Sequence, residues 1–192
     1  LTIVRSLTLI VSGDRAMSSF PKAFQLIGQG KIFGIPNPIW IFIFFVIAAE
    51  FVLRTMKIGR LPFFVGSNPQ AAELSGLRVK KIQFILYALC GCAAGIAGVV
   101  STARLNAAFP LAGNGAELRI IAAAVIGGCS LSGGQGSIIG AFLGVVLMAI
   151  INNLLILTGV NVYYQGLVAG LVLIGAVGFD EYSKRKRGEV RS

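Results

Sequence analysis

Few side chains in this sequence could hold a proton, a metal or a nucleophile's charge, and none stand in a working arrangement. There is no histidine, which removes His-based triads, His-liganded zinc and imidazole general-base catalysis. The three cysteines, Cys90, Cys92 and Cys129, lie inside apolar runs. Cys90 and Cys92, two positions apart, point to different faces of a helix, so all three read as small packing residues. Leu131-Ser132-Gly133-Gly134-Gln135 spells the signature string of ABC-type ATPases. No G-x-x-x-x-G-K-[ST] phosphate loop accompanies it, and between apolar runs a nucleotide would have no cradle, so the string reads as coincidence. What remains is polar but not reactive: Asn152, Asn153, Tyr163, Tyr164 and Gln165 in one uncharged stretch, with Arg104, Asn114, Glu117 and Arg119 before it. The expectation is a chain with no catalytic residue, no metal site and no cofactor.

Two segments carry more organised signals. In GSNPQAAELSGLRVKK, Gly66 to Lys81, Asn68-Pro69 starts a helix, AAEL continues it and Gly76 stops it. The product is a short amphipathic helix, either a basic connector at the lipid headgroups or a docking helix with Glu73 free to meet a basic partner. The segment Arg104 to Ser137 brackets a short apolar helix between two glycine clusters. Broken helices at membrane depth are tolerated where they line a cavity, and in transporters they often mark the substrate path. That reading makes Arg104, Asn114, Glu117, Gly127, Gly128, Asn152 and Asn153 candidates for a translocation path. The plainer reading makes the glycines tight packing turns, and Arg104, Glu117 and Arg119 interfacial anchors or one another's partners.

These segments must be positioned by membrane-spanning helices. The chain is 56% hydrophobic and 12% charged, with mean hydropathy +0.84, and 192 residues are too few to hide that much apolar surface from water. From Ile120 to Phe179, sixty consecutive residues carry no charge; Ile82 to Ala103 and Ile32 to Ala49 are further uncharged runs. A crossing needs about 20 residues. Eleven of the seventeen basic residues cluster in two places: Arg54, Lys57, Arg60, Arg78, Lys80 and Lys81, and then Lys184, Arg185, Lys186, Arg187 and Arg191. The positive-inside rule puts both clusters in the cytoplasm, so an even number of crossings separates them. Ile82 to Ala103 supplies one. The sixty-residue run then supplies three, near Ile120 to Ser130 (short and broken by the following glycines), Ile138 to Leu157 and Tyr163 to Phe179. Whether residues 118–136 cross fully or form a broken re-entrant helix stays open at this point. A further span, Ile35 to Leu53, leaves Ser12 to Gly34 outside. Small-xxx-small pairs at Gly91/Gly95, Gly140/Gly144 and Gly166/Gly170 suit close helix packing. The expected fold is an all-α, polytopic integral membrane helix bundle with about five complete spans and the remnant of an N-terminal one. The opening LTIVRSLTLIV reads as the second half of an apolar helix, as in an N-terminally truncated chain.

Four blocks in order, GQGKIFGIPNP, GSNPQAAELSGLRVKKI, ARLNAAFPLAGNGAELRIIAAAVIGG followed by GGQGSIIGAFLG, and INNLLILTGVNVYYQ, make the chain resemble the C-terminal part of a permease subunit of a bacterial ABC importer of the ribose, or simple-sugar, type. The resemblance covers nearly the whole chain and departs from the pattern at Arg119, where relatives often carry an acid. It implies a single transmembrane permease domain over 1–192, a cytoplasmic coupling loop at 54–81 and a basic cytoplasmic tail at 180–192, in the bacterial cytoplasmic membrane. It implies translocation of a monosaccharide by two such subunits, with a substrate-binding protein outside and an ATPase subunit inside that alone hydrolyses ATP. The docking loop then maps onto Asn68, Ala71, Ala72, Glu73, Ser75 and Gly76. A branched-chain amino acid permease and a passive channel or structural subunit are the alternatives. Nucleic acid is excluded as a partner, because the basic residues flank spans and the tail lacks interleaved aromatics.

Overall fold

The computed structural model describes residues 2–159 together with 164, 166–168, 170–172, 174, 175, 177, 178 and 181. In chain order the elements are α1 (Thr2–Ser12), β1 (Met17–Ser18), α2 (Lys22–Gln29), β2 (Lys31–Ile32), β3 (Ile35–Pro36), α3 (Asn37–Thr55), α4 (Lys57–Ser67), α5 (Pro69–Leu74), α6 (Val79–Leu105), β4 (Ala107–Ala108), α7 (Ala116–Ile126) and α8 (Ile138–Leu157). Among the described residues, three helices are long and apolar enough to cross a membrane: α3 with 19 residues, α6 with 27 and α8 with 20. At about 1.5 Å per residue the shortest is about 28 Å long, close to the roughly 30 Å of a bilayer's hydrocarbon core. Six of the seventeen residues of the expected span Tyr163 to Phe179, and all of the tail 180–192 but Glu181, lie outside the described residues.

Local chemistry sets the helix ends. Pro38 is the second residue of α3, where its missing amide would have had no helical partner. Arg54 in the last turn of α3 reaches back to Glu50 at 2.5 Å, an i,i+4 pair that also places positive charge at the helix C-terminus. Ser137 caps α8, its hydroxyl accepting the Gly140 amide at 3.0 Å. The long helices turn their apolar side chains outward: α3 buries no residue and α6 only Ala103, while Phe44, Ile47, Phe84 and Leu89 stand exposed. Such a surface suits lipid or another helix rather than water.

The described chain forms two compact units, Leu1–Ala48 with Lys80–Asn114, and Ala49–Val79 with Gly115–Ser192. In the first, β1 pairs antiparallel with β4, Met17 opposite Ala108 and Ser18 opposite Ala107. Strands β2 and β3 form a two-residue hairpin whose turn, Phe33 and Gly34, has φ of +53° and +80°. Asn37 ties this hairpin to α2, its amide donating to the Gly30 carbonyl at 2.9 Å and its side chain to the Leu26 carbonyl at 2.7 Å. The core of the second unit is Ala122, Ala123 and Met148, with Ile126, Ile151 and Val172 packed on it.

Candidate functional site

Helix α5 is short, and both of its ends are specified. The Asn68 side chain accepts the Ala71 amide at 2.9 Å, and Pro69 occupies the first helical position, the arrangement that best satisfies the free amides of a helix start. At the other end Gly76 has φ +84°, its amide donating to Glu73 at 2.9 Å and the Leu77 amide to Ala72 at 3.1 Å. This is a Schellman stop, for which glycine is the natural residue. Ser75 adds a hydroxyl bond to the Ala71 carbonyl at 2.8 Å. Ala72 is buried, whereas Ala71, Glu73, Ser75 and Gly76 are exposed, and Leu74 is 91% exposed. The six residues expected to form a docking loop therefore lie together on one capped helix. Its outer face presents Glu73 and Leu74, and a groove of about 430 Å³ runs between α4 and α5 past Leu61, Phe64 and Leu77.

Helix α7 lies antiparallel against α8 through small residues. A methyl group added at Gly127 would fall 2.7 Å from the Ala141 Cα, and one at Gly144 would fall 3.0 Å from the Ala123 carbonyl carbon and from the Gly127 amide nitrogen. Backbone contact of this kind is what glycine at helix crossings permits. With Gly127 beside Gly140 and Ala123 beside Gly144, the same register brings Ala116 and Glu117 level with Ile150 and Ile151, next to Asn152. Helix α7, with 11 residues, is about 16 Å long and ends well short of a bilayer's span. Its N-terminus, with exposed Glu117 in the first turn, thus stops part-way along α8 near half-buried Asn152 and exposed Asn153. A helix N-terminus attracts electron-rich groups through its free amides. Glu117 makes no ion pair among the described residues, and Arg119, two positions on, faces elsewhere.

Gly127 and Gly128 have structural work to do. Gly127 provides the close approach to α8, and Gly128 at φ +85° ends α7, its amide donating to Val125 and the Cys129 amide to Ala124, both at 2.9 Å. The turn beyond them packs against the end of α4: a methyl at Gly134 would fall 2.8 Å from the Ser67 Cβ, and one at Gly66 would fall 2.6 Å from the Gly134 amide nitrogen.

Arg104 and Asn114 belong to the first unit. Arg104 is exposed in the last turn of α6, and with Ser101 it forms the polar end of a groove of about 400 Å³ walled by Ile41, Phe42, Phe45 and Ile96. Asn114 accepts a hydrogen bond from the Arg5 guanidinium at 2.9 Å, tying α1 to the segment before α7. Buried Gly28 of α2 lies on the backbone of Ala103 and Arg104, where a methyl would fall 2.6 Å from the Arg104 Cα.

Over residues 2–177 the sequence matches the family described as "Branched-chain amino acid transport system / permease component". The chain belongs to this permease family. It is 39% identical over 181 residues to the ribose import permease protein RbsC of Escherichia coli (strain K12), a match covering 92% of this chain and 56% of that protein. The RbsC protein of Bacillus subtilis (strain 168) is 37% identical over 182 residues, covering 94% and 56%. The L-arabinose transport system permease protein AraH of E. coli (strain K12) is 33% identical over 190 residues, covering 99% and 58%. The chain thus spans a little over half the length of the curated relatives it matches. No solved structure matches it significantly.

Within this permease-family chain, sequence reasoning missed α4. Pro62 in its middle argues against a helix, and the sharp corner before it depends on buried Gly59, where a methyl would fall 2.8 Å from the Leu53 Cα. It also missed the packing of the 129–136 turn, for which the cluster Gly133-Gly134-x-Gly136 was the available signal. Of the three small-xxx-small pairs, Gly140/Gly144 packs against another helix, whereas Gly91, Gly95, Gly166 and Gly170 have open space about them among the described residues. Cys90 and Cys92 are likewise exposed, not packed.

Proposed function

We propose that this chain is the membrane-spanning permease subunit of an ATP-binding-cassette importer, and that it translocates a monosaccharide across the bacterial cytoplasmic membrane. The observation that carries the reading is α5, a six-residue helix capped by Asn68 and stopped by Gly76, with Glu73 and Leu74 turned outward, in a member of a permease family. The two caps hold so short a helix in one fixed geometry, and with it the outer face that carries Glu73 and Leu74. In this reading α5 docks in a groove on an ATPase subunit, and closure of the ATPase pair pushes it, switching the bundle between outward and inward access. ATP is hydrolysed on that separate subunit; the permease contributes pathway and lever.

The fuller architecture belongs to the same proposal: one permease domain over 1–192, about five complete spans, the 54–81 loop and the 180–192 tail in the cytoplasm. The pairing of Met17–Ser18 with Ala107–Ala108, and the contact of Gly66 with Gly133 and Gly134, are consistent with that topology. In each case the two partners are segments assigned to the same face. Within the second unit the path would run past Glu117, Asn152 and Asn153, with Gly127 and Gly128 fixing the end of α7; Arg104 and Asn114 are its candidate residues in the first unit. A second permease copy completes the pathway, and a substrate-binding protein delivers the sugar.

Ribose and arabinose are the cargoes in the relatives' names, which favours a sugar; the family's description favours branched-chain amino acids as the second reading. The deciding experiment is ATP-dependent uptake in proteoliposomes holding the full-length protein, its neighbouring ATPase and its binding protein, tested with labelled pentoses, hexoses and branched-chain amino acids. Saturable sugar uptake that needs all three components is expected. Flux that persists without the ATPase would mean a channel, and uptake of leucine alone would select the second reading.

A further inference from the structure

The string Leu131-Ser132-Gly133-Gly134-Gln135, unexplained by any nucleotide chemistry, has a mechanical setting. It forms a tight turn in which the Ser130 amide donates to the Gln135 carbonyl at 3.0 Å and the Gly133 amide to Ser130 at 3.2 Å. Gly133 and Gly134 take φ of +86° and +77°, a conformation open to glycine and costly for other residues. Their backbone rests on that of Gly66 and Ser67: a methyl at Gly133 would fall 2.8 Å from the Gly66 carbonyl oxygen, and one at Gly134 2.9 Å from the Ser67 Cα. Ser67 ends α4, and the next residue, Asn68, caps α5. On the other side of the contact the turn runs through Gly136 into Ser137, which caps α8. One glycine contact therefore joins the capped helix to the start of α8.

We infer that Gly66, Gly133 and Gly134 are positioning residues that carry displacement of α5 into the α7–α8 pair, the three parts moving as one rigid body. The inference rests on the importer reading above. A side chain at such a contact could absorb a push by changing rotamer. Two backbones in direct contact, each fixed by a turn or a helix end, have no such freedom, and close-packed groups transmit strain. From this junction the movement passes along α8, which holds α7 through Gly127, Gly140 and Gly144, to the level of Glu117 and Asn152.

The test uses the full-length protein with its ATPase and binding protein in proteoliposomes, reading sugar uptake and ATP hydrolysis side by side. Gly66 lies in a helix, where alanine is favoured over glycine, so Gly66→Ala disturbs the contact without straining its own backbone. The expected result is hydrolysis within twofold of the parent and sugar moved per ATP reduced tenfold or more. A parental ratio in this variant overturns the inference. Should the variant fail to assemble, spin labels at Gln70→Cys on α5 and Leu143→Cys on α8, both exposed, in a background with Cys90, Cys92 and Cys129 replaced by alanine, give an independent answer from the distance between them. A rigid body keeps one label-to-label distance with and without ATP. A distance that shifts between the two states shows that α5 moves relative to α8 during the cycle, and overturns the inference. A parental complex without ATP-driven uptake removes the importer reading and this inference together; normal coupling in a parent and its variants removes the inference alone.

Discussion

Removing the caps of α5 should separate the order of that helix from its function. Isolated helices shorter than about 12–15 residues are marginal in water, and α5 has six residues with one buried side chain, Ala72. Its ends therefore supply much of its stability. Asn68→Ala deletes the 2.9 Å bond to the Ala71 amide, a loss of about 1 kcal/mol, or roughly a fivefold shift toward the frayed state. Gly76→Ala places a Cβ at φ +84°, a penalty of about 1–2 kcal/mol. Together the two amount to roughly 2–3 kcal/mol, or about 30- to 150-fold if they add, and residues at opposite ends of one short helix will fall somewhat below that sum. Hydrogen exchange over residues 68–77 should accelerate about fivefold in Asn68→Ala, with uptake near the parental rate while the helix stays mostly formed. In the double variant exchange should approach that of an open loop and ATP-driven uptake should collapse, with the complex still assembled through its spans. Parental uptake by the double variant, or exchange unaffected by Asn68→Ala, would refute the reasoning.

Other substitutions test neighbouring parts of the account. Leu74→Ala removes a 91% exposed side chain, so thermal stability in detergent should hold while uptake and ATPase binding fall several-fold; unchanged binding removes Leu74 from the docking face. Gly144→Val forces bulk onto the Ala123 carbonyl and should destabilise the α7–α8 pair by about 1–3 kcal/mol, read as a lower unfolding midpoint. Glu117→Gln keeps the side chain's shape without its charge, and several-fold slower uptake with normal assembly is expected; an unaltered rate takes Glu117 out of the path. Phe33→Asn places a residue suited to positive φ ahead of Gly34 in the β2–β3 turn, and the relief of about 1 kcal/mol should raise the midpoint.

The parts readable from sequence are those governed by local signals. The bounds of α8 follow from an uncharged run between a Ser137 cap and the Thr158-Gly159 turn, and both ends stand where the sequence put them. Helices α3 and α6 differ by two or three residues at their ends from the expected spans, because helical geometry continues past the apolar run into Arg54 and Arg104. The start and stop of α5 were readable because Asn-Pro and glycine act on their own neighbours. Contacts between distant segments were not. Nothing local distinguishes Gly140, pressed on Gly127, from Gly91, with open space around it. The level of Glu117 beside Asn152 is set by the register of α7 on α8, which sequence spacing alone does not fix.

The β1–β4 pairing has a consequence for biogenesis. Met17 and Ser18 meet Ala107 and Ala108, so the partner strand emerges from the ribosome about ninety residues later, some 5–20 seconds at ordinary synthesis rates. In the topology proposed above, α3 and α6 would be inserted during that interval while the earlier strand keeps its amides solvated and unpaired. Two pairs of residues would then act as a late latch, closing only when the chain has returned to the face it left, and their formation would mark the moment at which the first unit has been threaded correctly.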